Sequence, residues 1–435
     1  MILAIVTAAR NGLSSLTGIL ICRDILIFSM PGFLLLGGAY TFSQSAAFEG
    51  LDEEIQAYAL FYGVASVALL VVMFFGLRRY LSIPWRSDLP STRVRRSPFA
   101  VGVGVAVLAI ATFYLLHGPS PLLLLPFDPH LSSIIRADIF NQRGVPSIVI
   151  LGLNVVVQPA VYVLLFYYAV YCFDRPLTAS RSTGLLALFT LSVFVVAYDA
   201  QKLPILQLAA FIGLIGWSRG GRMFLRTVIA ALGVAAFCYT VSAMYLLDER
   251  VAASSEAWLD HPLTQRIIGQ IYGHFMYFRF APLLSLDLLA VTVPGYYILN
   301  SLVLHRPVVE QLDRQLMMLA MPGSETSGLM NTLFTGQAYV LFGDVGILLG
   351  PALVVLNLLV LTWMTRRYSR IRPLFTAFAA GYVPITLVQM TSNLAVFLSF
   401  RYPVYFGLVI GIFEVFHRLF CGTSVQKSVP RLSSR

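Results

Sequence analysis

The chain has 435 residues, of which 58% are hydrophobic and only 11% charged, with a mean hydropathy of +0.80. That composition excludes a water-soluble enzyme and puts the chain among polytopic membrane proteins. The net charge of +10 would suit a nucleic-acid partner, but the cations sort by side of a membrane, which accounts for the excess without nucleic acid.

In chain order, the first 24 residues, with Arg10 and Arg23, read either as a cytoplasmic amphipathic segment or as an extra short span. No small-residue cleavage site follows Arg23-Asp24, which argues against a removed signal peptide. The first span runs from about Ile25 to Phe42, and Glu49 to Glu54 form an acidic loop. The second, Tyr58 to Leu77, is stopped by Arg78-Arg79 and a basic loop to Ser97. The third, Pro98 to His117, carries Gly102-Val-Gly104 in mid-helix, where close helix packing is expected rather than nucleotide binding. A loop from Gly118 to Ser147 leads to a fourth span, Ile148 to Phe173.

Leu185 to Ala197 and Ile205 to Trp217 are short apolar runs joined by Tyr198 to Pro204. A full crossing needs about 20 residues, so these predict a shallow hairpin whose turn lies inside the protein, below the outer surface. Thr227 to Leu247 is the seventh span, and the longest polar interruption, about Asp248 to Thr335, follows it. The eighth span, Gly336 to Thr365, contains Gly343-Asp344-Val-Gly346 and Gly350-Pro351, which predicts a kink or break. Leu374 to Thr391 and Ser399 to Phe416 complete the set, the last with Gly407 and Gly411 as a small-residue packing surface. Trp217 and Trp363 fall at inner boundaries, as interfacial anchors do.

The fold expected is an all-α polytopic integral membrane protein of about 10–12 transmembrane helices with a large periplasmic loop. Its parts are an N-terminal transmembrane bundle (1–247), the loop (248–335), C-terminal helices (336–417) and a basic tail (418–435). Most Lys and Arg, including Arg78 to Arg96, Arg175, Arg181, Arg366 to Arg372 and Arg418, fall on one side, and most acids on the other. The positive-inside rule makes the first side cytoplasmic and places both termini there. Cys22, Cys172, Cys238 and Cys421 have neither CxxC nor metal-ligand spacing, so no disulfide, metal or cofactor is expected.

The residues with chemical potential cluster outside the spans. At 100° per residue, Arg266, Gln270, His274 and Tyr277 share one face of a helix with an apolar flank, which predicts an amphipathic helix lying along the membrane surface. Arg136, Arg143, Lys202, Arg266 and Arg279 are isolated cations on an otherwise acidic side. Arginine forks bidentately onto phosphate, so several converging would clamp a pyrophosphate without a metal. Each also has an ordinary reading, such as Arg136 pairing with Asp138 or Lys202 with Asp199. Glu325, in a Gly-Ser-Thr-rich turn, and His274 are candidate general bases; alternatively the first caps a helix and the second is structural.

Ser327-Gly328 to Thr332, Gly336, Tyr339 and Phe342-Gly343-Asp344-Val-Gly346, together with the large loop and the charged central hairpin, resemble the bacterial oligosaccharide repeat-unit polymerases of the Wzy type. The family's arginine-x10-glycine pattern is absent at Arg136, where Ser147 stands in the glycine position. The resemblance implies a GT-C-like glycosyltransferase of the bacterial inner membrane, active at its periplasmic face on undecaprenyl-pyrophosphate-linked oligosaccharides. It also implies a chain-length regulator protein as an inner-membrane partner. On it, Arg136, Arg143, Lys202, Arg266 and Arg279 hold pyrophosphates, Glu325 or His274 takes the acceptor proton, and Tyr272, Tyr277, Tyr296 and Tyr297 line the sugar path, although interfacial aromatic packing accounts for these four rings equally well. The competing readings are an O-antigen ligase, which shares the architecture and features a histidine in its large loop, and a lipid-linked oligosaccharide flippase.

Overall fold

The computed structural model describes residues 52–81, 94–124, 152–176, 178–198, 273–285, 312–320, 334–390 and 401–422, with scattered positions in 127–149, 205–215 and 293–296 and at 394. All regular structure among them is helical. We number the longer helices α1 (Glu53–Leu81), α2 (Phe99–His117), α3 (Gln158–Phe173), α4 (Ala179–Val196), α5 (273–280), α6 (Leu312–Ala320), α7 (Phe334–Phe342), α8 (Gly346–Ile371), α9 (Leu374–Met390) and α10 (Arg401–Cys421). Six apolar runs are long enough to cross a membrane by length and composition. They contain α1, α2, α3, α4, α7 with α8, and α10, so the chain is a membrane protein whose described residues are all-α.

The bundle packs around aromatic rings. Phe166 and Tyr167 of α3, Phe375 and Phe378 of α9, and Phe413 of α10 are all buried, and Phe413 lies 4.9 Å from Phe375 and 5.3 Å from Phe378 between ring centroids. Rings at these separations prefer edge-to-face or tilted geometry, as most do here.

Helices α1 and α8 run parallel. At one end Tyr62 of α1 donates to the carbonyl of Gly343, just before α8; at the other, Arg366 of α8 donates to the carbonyl of Arg79. That second end gathers arginines from across the sequence: Arg95 N–H donates to Phe420 O at 2.9 Å, and Arg175 reaches Val94 O at 3.0 Å. There Glu414 of α10 accepts from Arg372 at 2.6 Å, Arg418 at 2.8 Å and Tyr368 at 2.5 Å, tying the α8–α9 turn to α10. Trp363, exposed on α8, stands near the same end with the Arg367 guanidinium 5.8 Å from its ring. Glu53, Glu54 and Asp344 occupy the opposite end.

Helix α4 is longer than the first arm of the expected shallow hairpin, whose turn and second arm (199–217) lie largely outside the described residues. It starts at Ala179, N-capped by the Thr178 side chain accepting from Arg181 N–H, and its 18 residues are enough for a candidate crossing. Polar Ser180 to Thr183 hid its first turn from a hydropathy reading. After it, Tyr198 donates to Gly118 O, Ser120 donates to Tyr198 O at 2.9 Å, and the Phe113 and Tyr198 rings stack 4.7 Å apart. Tyr198, the last described residue after α4, is thereby tied to the end of α2.

Glycines sort by use. A Cβ on Gly102 would touch Leu188 at 3.0 Å, so α2 packs closely on α4 there. Gly411 has nothing within 4 Å and Gly407 only Met364 at 3.7 Å, so the expected Gly407–Gly411 packing surface is not buried among the described residues.

The run Phe334–Ile371 is apolar throughout and could be taken for one 38-residue span. In a straight helix, residues 334 and 350 would stand about 24 Å apart. Instead a Cβ on Gly350 would lie 2.9 Å from Ala338 Cβ and 3.3 Å from the Phe334 ring, and one on Gly346 would overlap the Ala338 carbonyl. The chain reverses through the 3-10 turn Gly343–Val345, where Gly343 adopts φ 57°, a conformation open to glycine at little cost. Thus α7 folds back antiparallel on α8, and α8 alone, about 39 Å long, makes the crossing.

Candidate functional site

The reversal meets α1, α5 and α6 at the acidic end of the bundle. Tyr58 and Tyr62, one turn apart on α1, grip it: Tyr58 donates to the Asp344 carboxylate and Tyr62 donates to Gly343 O at 2.9 Å. Their rings stand edge-on to Phe278 at 5.7 and 5.2 Å and to Tyr339 at 5.9 and 5.6 Å, while Phe278 and Tyr339 stack at 4.2 Å. Tyr58 is 36% exposed and Asp344 is exposed, so this aromatic ledge reaches the surface.

Beneath it α5 is locked in place. Residues 273–278 are all buried, in contrast to the surface-lying amphipathic helix expected there. The polar face survives because its groups bond internally, as buried polar groups must. His274, fully buried, approaches Ala59 O through Nε2 at 2.7 Å and Thr335 Oγ1 through Nδ1 at 2.9 Å. A carbonyl can only accept, so Nε2 carries the proton. The Thr335 hydroxyl then donates to the bare Nδ1. Burial pushes the imidazole pKa down to about 4, keeping it neutral. With both nitrogens engaged inside the protein, His274 is placed to position α5 against α1 and α7, and its geometry does not suit a base for an incoming hydroxyl.

Tyr277 also differs from its expected place on a sugar path. Its ring is fully buried, lying where Gly336 lacks a side chain, since a Cβ there would stand 2.6 Å from it. Its hydroxyl donates to Asp313 at 2.5 Å, and Gln337 donates to the same carboxylate at 2.8 Å. Asp313 sits in the first turn of α6, where the helix dipole favours a negative charge. Gln315 completes the attachment by exchanging hydrogen bonds with the Ser285 backbone at 2.8 and 3.0 Å. Tyr296 is likewise buried.

Arg279, at the end of α5, is exposed. It lies 5.3 Å from the Phe280 ring and makes no ion pair among the described residues. It is the one expected phosphate-binding cation whose placement is described. Arg136, Arg143, Lys202, Arg266, Glu325, Tyr272 and Tyr297 lie outside the described residues, as does His305. Asp313, Gln337, Tyr58, Tyr62 and Asp344 were not picked out by chemistry from the sequence. The visible signal was Phe342-Gly343-Asp344-Val-Gly346, read as a break but not as a carboxylate seat.

No family model, curated protein or solved structure matches the chain. At one end of a membrane bundle the site combines an exposed carboxylate on the α7–α8 turn, an aromatic ledge shared by α1, α5 and α7, and an exposed arginine on α5, a short helix fixed by buried hydrogen bonds. No group of three or more metal-ligating side chains occurs among the described residues.

Proposed function

We propose that the protein is a polymerase that joins undecaprenyl-pyrophosphate-linked oligosaccharide repeat units into a bacterial surface polysaccharide. The observation that carries this reading is the folded-back segment Phe334–Gly346. The residues that resemble the polymerase family, Gly336, Tyr339 and Phe342 to Gly346, build a hairpin that seats loop helices against two membrane helices. A glycan carried on a membrane lipid needs a site at an end of the helix bundle, walled by protein yet open to water on one side.

On this reading the arginine-rich end is cytoplasmic, by the positive-inside rule, and the Asp344 end is periplasmic, in a GT-C-like arrangement in the inner membrane. The lipid pyrophosphate is already a good leaving group. Arg136, Arg143, Lys202, Arg266 and Arg279 would stabilise the charge it gains as the glycosidic bond breaks, which removes the need for a metal. The acceptor hydroxyl attacks the anomeric carbon and its proton passes to a carboxylate, with Glu325 the candidate from the loop.

The test is a clean deletion of the gene in the source bacterium, complemented in trans, with surface polysaccharide resolved by gel electrophoresis. The expected result is loss of the long ladder with survival of a core-plus-one-repeat band. Loss of that band as well, with lipid-linked precursors accumulating, would replace the reading with a ligase or a flippase. In the complemented strain, Arg266→Ala or Arg143→Ala should abolish polymer at normal protein level, and lysine should rescue poorly because a point charge lacks the fork. Full-length polymer from both alanine variants would remove the clamp. Glu325→Gln should cut turnover at least about 100-fold if this carboxylate takes the proton; near-normal turnover would move that role elsewhere.

A further inference from the structure

The proposed polymerase must hold sugar rings as well as phosphates, and the ledge at Asp344 has the chemistry for it. Deepening that reading, we propose that Asp344 and Tyr58 form a sugar-binding subsite for the repeat unit. Asp344 sits on the α7–α8 reversal, exposed to water, and only one of its carboxylate oxygens, Oδ1, is engaged by the Tyr58 phenol. Its other oxygen has no partner among the described residues. The phenol fixes the carboxylate, and the remaining oxygen is an acceptor for the vicinal hydroxyls of a sugar. A charged acceptor holds a hydroxyl about twice as strongly as a neutral one.

The Tyr58 ring supplies the apolar partner that the C–H face of a pyranose requires. It is 36% exposed and braced edge-on by Tyr62, Phe278 and Tyr339, so it is rigid before any sugar arrives. A preset ring and a preset carboxylate reduce the ordering cost of binding. Arg279 follows Phe278 of this cluster in α5 and is itself exposed, its guanidinium 5.3 Å from the Phe280 ring.

The purely structural alternative is that the Tyr58–Asp344 bond only fastens the hairpin, and two substitutions separate the ideas. Asp344→Asn keeps an oxygen to accept from Tyr58 but removes the charge, whereas Tyr58→Phe removes the fastening and keeps ring and charge. The experiment is calorimetric titration of the full-length protein in lipid nanodiscs. The probe is the repeat-unit oligosaccharide released from the source bacterium's surface polysaccharide by mild acid. Asp344→Asn should weaken binding about tenfold with an unchanged melting temperature, and Tyr58→Ala should weaken it more than Tyr58→Phe. Wild-type protein that does not bind the oligosaccharide overturns the subsite. So does Asp344→Asn binding as wild type while Tyr58→Phe lowers the melting temperature. Failure of the polymerase reading is read separately: a deletion strain with an unaltered ladder removes the reaction, while oligosaccharide binding that depends on Asp344 would still stand.

Discussion

Replacing Gly346 with valine should leave little folded protein. A Cβ at this position overlaps the Ala338 carbonyl and the Tyr62 hydroxyl, and the first of these is backbone that cannot swing aside without opening the α7–α8 hairpin. Overpacking of a core usually costs about 1–3 kcal/mol; a clash with main chain belongs to the exceptional class of about 4 kcal/mol or more. Fluorescence-detected size exclusion after heating would measure it on a tagged protein in detergent. Gly104→Ala is the control, because nothing lies within 4 Å of a Cβ there. A Gly346→Val protein that melts with wild type would mean that α7 does not fold back on α8.

The second large effect concerns His274 and acid. Burial lowers its pKa from 6.5 to about 4, so between those values the folded state holds fewer protons than the unfolded one. Stability is then full above about pH 6.5 and is lost as pH falls toward 4. The loss from this one group is about 3 kcal/mol, at 1.36 kcal/mol per unit. His274→Gln cannot titrate, so it should melt lower than wild type at pH 7.5 and show a flatter decline between pH 6.5 and 4. Equal slopes for the two proteins would show that the imidazole is not held neutral between Ala59 and Thr335.

What the sequence told and withheld follows the physics of each signal. Helices α1, α2 and α3 were legible as long apolar runs, since length and hydropathy are properties of the chain alone. The start of α4 was not, because Ser180, Arg181, Ser182 and Thr183 are polar and their helical state depends on the Thr178 cap. The break at Gly343 was legible from glycine content. Its angle was not, since a full reversal depends on Gly346 and Gly350 meeting Ala338 and Phe334, partners that composition does not name. For α5, periodicity grouped His274 and Tyr277 on one face correctly, yet a polar face only states a need for hydrogen bonds. Thr335, Ala59 and Asp313 meet that need in place of water.

The Tyr58–Asp344 bond joins residues 286 positions apart, and that separation sets an order of events during synthesis. At about 5–20 residues per second, roughly 15 to 60 s pass between the emergence of α1 and that of its partner turn. Through that interval the Tyr58 and Tyr62 hydroxyls lack the Asp344 and Gly343 partners of the finished fold, and interfacial water and lipid head groups are the partners a bilayer surface offers to tyrosine. A ribosome that stalls anywhere before Gly343 therefore leaves a chain whose ledge is unbuilt, with both tyrosine hydroxyls short of their partners.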